Sequence, residues 1–282
     1  MNEDFRWRRM KSGEASAVET LLRDIECRYV SACGRFLTRE EAKAHVWMLR
    51  EKKGRLAGLL INSRSTLIPV LRGIKEIPRP RFLGGFLSRK KIHSVQGLRE
   101  EVAVMENELE KMGRKITDIF DYDLMSLDKM PDKKGYSSGP PNLILRTPQL
   151  TDLNQMAVLQ AAYEQEEVLP SGSVFSPAAS RVNIANIISK AQILAAEVSG
   201  RLVGKINISA VSFTRYQVGG VYVHPDFRGL GIARRMATEF IASLIVQGRG
   251  ATLFVKKTNL AARRLYSGLG FSVKGDYRIT YY

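Results

Sequence analysis

Long apolar runs are missing from this 282-residue chain. The longest candidate, Leu56 to Leu71, is interrupted by Asn62, Ser63, Arg64 and Pro69, so nothing approaches the roughly 20 apolar residues a membrane helix needs. The opening segment MNEDFRWRRMKSG is charged and has no apolar h-region, which argues against a secretory signal. Cysteine is scarce: Cys27 and Cys33 can build neither a disulfide framework nor a cysteine-rich zinc site. A cytoplasmic enzyme without a resident metal is the expectation. Acidic residues are also in short supply, 28 against 44 Lys and Arg, for a formal charge of +16. Such a surplus suits either a polyanion such as RNA or a small anionic cofactor. The surplus is spread over both halves, and no basic repeat interleaved with aromatics marks a single-strand channel. A nucleic-acid partner is therefore not expected.

Met130 to Asn142 reads MPDKKGYSSGPPN, a run of Pro, Gly, Ser and charge with no periodicity. It cannot bury apolar surface and is the natural linker between a first domain at residues 1–129 and a second at 143–282. On either side the chain repeats a phrase, EKKGRLAGLLI from Glu51 and EVSGRLVGKIN from Glu197. Both fit a strand, a turn at Gly54 or Gly200, and a second strand. Each follows about forty helix-rich residues, and before those a short strand, Phe5 to Arg9 or Leu143 to Arg146. Duplication is the reading that accounts for this order.

In the second half a helix is expected from an N-cap near Thr151 to about Glu166, and another from Ser176-Pro177. Strands follow at about 191–198, 202–212 and 215–223. A helix over about 231–247, a strand over 251–255, a short helix from Asn259 and a terminal strand region from Phe271 complete a mixed α/β sheet.

The sharpest feature is VYVHPDFRGLGIARRM, Val221 to Met236. An apolar run ends at Val223, and Arg228-Gly229-Leu230-Gly231-Ile232-Ala233 opens an amphipathic helix. Glycines there let consecutive backbone N–H groups face one point, and with the helix dipole they suit a pyrophosphate. Taken alone, the segment reads first as an ordinary tight strand-to-helix turn. A dinucleotide fold would want Gly or Ala where Arg234 stands, and a Walker loop would want Gly-Lys-Ser/Thr. Further on, TNLAARRLYSGLGF puts Asn259, Ala262, Tyr266, Gly270 and Phe271 on and after one short helix.

Together the two motifs resemble the GNAT superfamily of acyl-coenzyme A-dependent N-acetyltransferases. Arg228, Gly231 and Ala233 match its R/Q-x-x-G-x-G/A signature; Asn259, Ala262, Tyr266, Gly270 and Phe271 match its second. The resemblance covers nearly the whole second half, and GGVYVHPDFRG looks like a two-domain branch with a diverged first copy. Two GNAT-like domains in tandem, the second intact, are what it implies. It also implies that N–H groups from Gly229 to Ala233 hold the coenzyme A pyrophosphate. Val221, Tyr222 and Val223 would hold the pantetheine arm, and Val221 or Tyr222 would polarise the thioester carbonyl. An amine would attack directly, and Tyr266 would protonate the departing thiolate. The donor is expected to be acetyl-coenzyme A; the acceptor amine is not legible.

Many family members place a Glu where Gln217 stands, and Gln accepts no proton. Glu197, the Glu164-Gln165-Glu166-Glu167 cluster or water is left as base, and Glu166 and Glu167 are the residues singled out. An acidic helix end can as well bind a cationic amine or simply be solvated. His224 reads as a turn residue.

In the first half, HSVQGLREEVAVMENELEKMG, His93 to Gly113, is expected where the phosphate loop would stand, with Glu100 and Glu101 repelling phosphate. Arg72 to Lys91, with Arg79, Arg81, Arg89, Lys90 and Lys91, is expected as an exposed basic loop. Rival functions are an aminoacyl-tRNA-dependent transferase and a non-catalytic coenzyme A or RNA-binding module.

Overall fold

The computed structural model describes residues 5–40, 44–78, 81–89, 91–132, 139–190 and 192–282. The first half runs β1 (Phe5–Arg9), α1 (Ala15–Asp24), α2 (Val30–Leu37), β2 (His45–Glu51), β3 (Leu56–Ser63), β4 (Thr66–Val70), α3 (Arg81–Arg89), β5 (Ser94–Leu98), α4 (Arg99–Lys111) and β6 (Asp118–Leu127). The second runs β7 (Leu143–Arg146), α5 (Leu153–Tyr163), α6 (Pro177–Ser189), β8 (Ile193–Val198), β9 (Arg201–Val211), β10 (Arg215–Val223), α7 (Ile232–Val246), β11 (Gly250–Lys256), α8 (Leu260–Gly268) and β12 (Ser272–Tyr281). The order strand, two helices, three strands, helix, strand, helix, strand thus occurs twice, as the repeated phrase predicts. Its turns lie at Gly54 and Gly200, with φ of +86° and +77°, a region glycine enters without steric cost.

One 12-stranded sheet contains both halves, in the order β1-β2-β3-β4-β5-β12-β6-β11-β10-β9-β8-β7. The last strand of each half pairs into the other. β6 lies against β11, with Leu127 opposite Ala251, and β12 lies against β5, with Tyr277 opposite Leu98. β6 and β12 pair with each other at the centre. The cores follow this exchange. Met125 and Leu127 of β6 pack with Ile232, Met236 and Ile241 of α7, while Tyr277 of β12 packs with Phe36, Leu59 and Val70 of the first half. Buried apolar contact at roughly 25 cal/mol per Å² therefore binds each half to a strand of its neighbour.

Local chemistry sets several boundaries. Ser176 caps α6, accepting from Ala179 N at 3.3 Å, with Pro177 in the first turn. Thr151 does not cap α5: it lies inside a 3-10 turn, Leu150–Asp152, which Asp152 closes by accepting from Gln149 N at 2.7 Å. α5 ends at Tyr163 and widens into a π turn over Glu164–Val168. The basic stretch is not all loop, because α3 forms within it and buries Leu83 and Leu87; Arg79 and Lys90 fall outside the described residues. The expected position of the first half's phosphate loop is also corrected. Repeat order makes α3 the counterpart of α7 and α4 the counterpart of α8, so His93–Gly113 forms β5 and α4, one unit later. Of the described residues, no helix is long and apolar enough to cross a membrane.

Candidate functional site

β10 and β11 are parallel but pair only from Arg215 opposite Gly250 to Val218 opposite Leu253. Beyond Val218, β10 continues to Val223 without that partner, so a cleft opens between the two strands on the way to α7. At its start β10 bulges: Gly219 pairs with Asn207 and Tyr222 with Lys205, leaving Gly220 and Val221 unpaired across β9. Gly220 has φ of +60°. A Cβ there would fall on the Asn207 carboxamide and 2.8 Å from Lys205 Nζ. Glycine is thus required twice, by conformation and by space.

After Val223 a 3-10 turn, Pro225–Phe227, is closed by the His224 side chain, which accepts from Asp226 N. His224 is the turn residue its position suggests. Arg228 Nε donates to Val223 O at 2.9 Å, fastening the loop to the strand end. Gly229 and Gly231 take φ of +79° and +81°, and Gly231 caps α7 without a side-chain hydrogen bond. The first-turn N–H groups of α7, through Ile232 and Ala233, therefore have no side-chain cap, the arrangement that receives an anion at a helix start. Leu230 is exposed, whereas Ile232 is anchored in the core.

Across the cleft, Asn259 caps α8, accepting from Ala262 N at 3.0 Å. Tyr266, two turns in, is 5% exposed and packs edge-on to Phe271. Burial, with Tyr163 and Glu167 nearby, raises its phenol above the usual range and keeps it protonated at neutral pH.

The acidic π turn reaches both sides. Glu166 accepts from Arg228 at 2.8 Å; Glu167 accepts from Asn259 at 3.3 Å and pairs with Lys256 at 3.4 Å. Glu164 accepts from Gln160 at 2.7 Å and Asn183 at 3.1 Å. Each carboxylate of the cluster is engaged, Glu166 with the glycine loop and Glu167 with the start of α8. Glu197 sits elsewhere, 2.6 Å from Arg146 in a network with Asp152. The Glu166–Arg228 pair is exposed and contributes at most about 1 kcal/mol.

Three contributions to this region were not legible in the motifs. Tyr163, at the end of α5, takes a hydrogen bond from the Gly220 backbone, and burial pushes its phenol up to about 12. Lys205 lies fully buried beneath it, Nζ 4.4 Å from the ring centroid, donating to Gly220 O at 2.8 Å and Asn207 at 3.3 Å. Its signal was present: a lysine in the middle of LVGKINI, a strand apolar but for it and Asn207. The third comes from the first half. Ser31 on α2 donates to Gln217 at 2.8 Å, Glu26 accepts from Thr214 N and Oγ1 at 2.7 and 2.6 Å, and Gly34 packs against Val211. These contacts make α2 a wall beside β9 and β10, which no local pattern could announce.

Residues 159–271 match the family model described as Acetyltransferase (GNAT) family. Among solved structures, a GCN5-related N-acetyltransferase from Sphaerobacter thermophilus is 20% identical with a TM-score of 0.61, over 99% of this chain and 95% of that one. A tandem GNAT protein from the clavulanic acid biosynthesis pathway is 14% identical with a TM-score of 0.57, over 99% and 98%. A GNAT-family acetyltransferase from Colwellia psychrerythraea is 12% identical with a TM-score of 0.55, over 98% of each. No curated protein sequence matches the chain. The cleft and the glycine loop lie within the matched stretch: residues 159–271 are similar to the acetyltransferase (GNAT) family, and the same order of elements occurs once more ahead of them.

Proposed function

We propose that the protein moves an acetyl group from acetyl-coenzyme A to a primary amine by direct attack. The observation that carries this reading is the cleft between β10 and β11, bounded by the glycine loop on one side and Tyr266 on the other. N–H groups from Gly229 to Ala233, with Arg228, hold the pyrophosphate. Main-chain groups of Val221, Tyr222 and Val223 line the pantetheine arm, and an N–H of Val221 or Tyr222 receives the charge developing on the thioester oxygen. Tyr266 hands its proton to the departing sulfur. Glu166 and Glu167 fix Arg228 and Asn259 rather than act as base, so the amine's proton leaves through water. The amine approaches between Tyr163 and the α2 wall.

Thermal unfolding with acetyl-coenzyme A, with tRNA and with buffer alone tests this. A ligand that binds only the folded chain adds about 2.7 kcal/mol at a hundredfold excess over its Kd. Stabilisation by acetyl-coenzyme A alone is expected, and Gly231→Asp, which puts a carboxylate where the pyrophosphate sits, should remove it. Stabilisation by tRNA alone, or an unchanged response in folded Gly231→Asp, would overturn the reading.

A further inference from the structure

A fully buried lysine with no carboxylate in contact is costly, and β9 carries one at the edge of the bulge. Among the described charged groups, Glu164 alone acts on Lys205, and that carboxylate is held by Gln160 and Asn183; the Tyr163 ring covers the lysine. The amine's firmest contact is the Gly220 carbonyl at 2.8 Å. The peptide between Gly220 and Val221 is trans, so its C=O and N–H point in opposite directions. Anchoring the carbonyl on the β9 side turns the Val221 N–H away from β9, toward the side on which β11 lies and the cleft opens. Val221 has no partner across β9 to compete for that N–H.

We propose that Lys205 is a positioning residue that clamps the bulge, aiming the Val221 N–H at the thioester carbonyl and polarising the peptide that supplies it. The inference rests on the acyl-transfer reading above. It explains the double requirement for glycine at position 220, since any side chain there would displace the amine. It also explains why a buried charge-bearing group is kept where an apolar one would pack at lower cost. Burial lowers this amine to about 7, so its charge, and with it the polarisation of the peptide, changes near neutral pH.

The test uses the full chain with Lys205→Met, which keeps the bulk and removes the amine. Expected are a kcat at least tenfold lower, acetyl-coenzyme A affinity within about threefold, and a melting temperature no lower than wild type. The direct readout is the infrared band of acetyl-coenzyme A labelled with 13C at the thioester carbonyl. Binding to wild type should move it to lower frequency, and binding to Lys205→Met should move it less. Lys205→Gln, which retains an N–H donor at shorter reach, should fall between the two. The limb of the kcat profile near pH 7 should vanish in Lys205→Met. An unchanged band and kcat, or failure of both variants to fold, would overturn the clamp and leave the acyl-transfer reading standing. Failure of wild type to bind acetyl-coenzyme A would overturn both.

Discussion

The two halves place the same parallel strand pair over the same kind of opening, and they fill it differently. β4 and β5 pair only at Thr66 opposite Ser94 and Leu67 opposite Val95, then part as β10 and β11 do. In the first half the gap is taken up from within. A Cβ on Gly97 would already be 3.5 Å from Pro69, and Glu101 of α4 accepts from Leu71 N at 2.9 Å, Arg72 N at 2.7 Å and the Tyr29 hydroxyl at 2.7 Å. A side-chain carboxylate thus takes the strand-end N–H groups. Burial nonetheless raises its carboxyl above the usual range, so it is held at some cost. In the second half the bulge and the glycine loop leave N–H groups facing outward. The first half thus keeps the fold while an internal carboxylate meets its strand-end N–H groups.

Separating the halves should have the largest effect on this comparison. A fragment of residues 139–282 lacks β5 and β6, so β11 loses one ladder, β12 loses both, and the α7 core loses Met125 and Leu127. It should be insoluble or unable to transfer acetyl, and co-expression of residues 1–132 should restore it; soluble yield and turnover report both. A soluble, fully active fragment would show the first half to be a passenger. Next in size, Tyr266→Phe keeps the packing against Phe271 and removes only the hydroxyl. Turnover should fall roughly 10²-fold while coenzyme A affinity barely moves. Equal losses in both would reduce Tyr266 to a packing residue.

The matched motifs were legible because each is a local chemical requirement: glycines at positive φ before α7, an Asn cap before α8, and hairpin turns at Gly54 and Gly200. The strand exchange was not, since β6 and β12 carry no mark that tells which neighbour they join. Ser31 and Glu26 were missed for the same reason, as their partners Gln217 and Thr214 lie far along the chain. Glu166 and Glu167 were found as a cluster, but their ties to Arg228 and Asn259 depend on the π turn, which composition does not encode.

A smaller effect concerns Lys205 and pH. Its amine is lowered to about 7 from an ordinary 10.5, so between these values the unfolded chain binds more protons. Stability should therefore rise with pH across 7 to 9, by at most about 1.4 kcal/mol per unit from this group. Urea titrations should show that Lys205→Met removes this rise; an equal slope would mean the amine is normal in the folded chain. The smallest effect sharpens the opening comparison directly. Glu101→Ala should destabilise the chain by about 1–3 kcal/mol, the cost of leaving the buried Leu71 N–H and Tyr29 hydroxyl and the partly buried Arg72 N–H unmet. It should create no second cofactor site, and calorimetry should still count one acetyl-coenzyme A per chain. Two per chain, in wild type or variant, would end the distinction between an occupied and an open cleft.

Strand exchange also sets an order of events during synthesis. The first half cannot close its sheet when its own residues are made, because β5 waits for β12, the ten-residue strand Ser272–Tyr281 made long afterwards. At about 5–20 residues per second the ribosome needs on the order of ten seconds to travel from β6 to β12. For that interval β5 presents an unpaired edge, the feature that most readily recruits foreign strands. Emergence of β12, not completion of the first half, is the moment at which either half can finish folding. A premature stop that removes only β12 should consequently damage the half that was translated first.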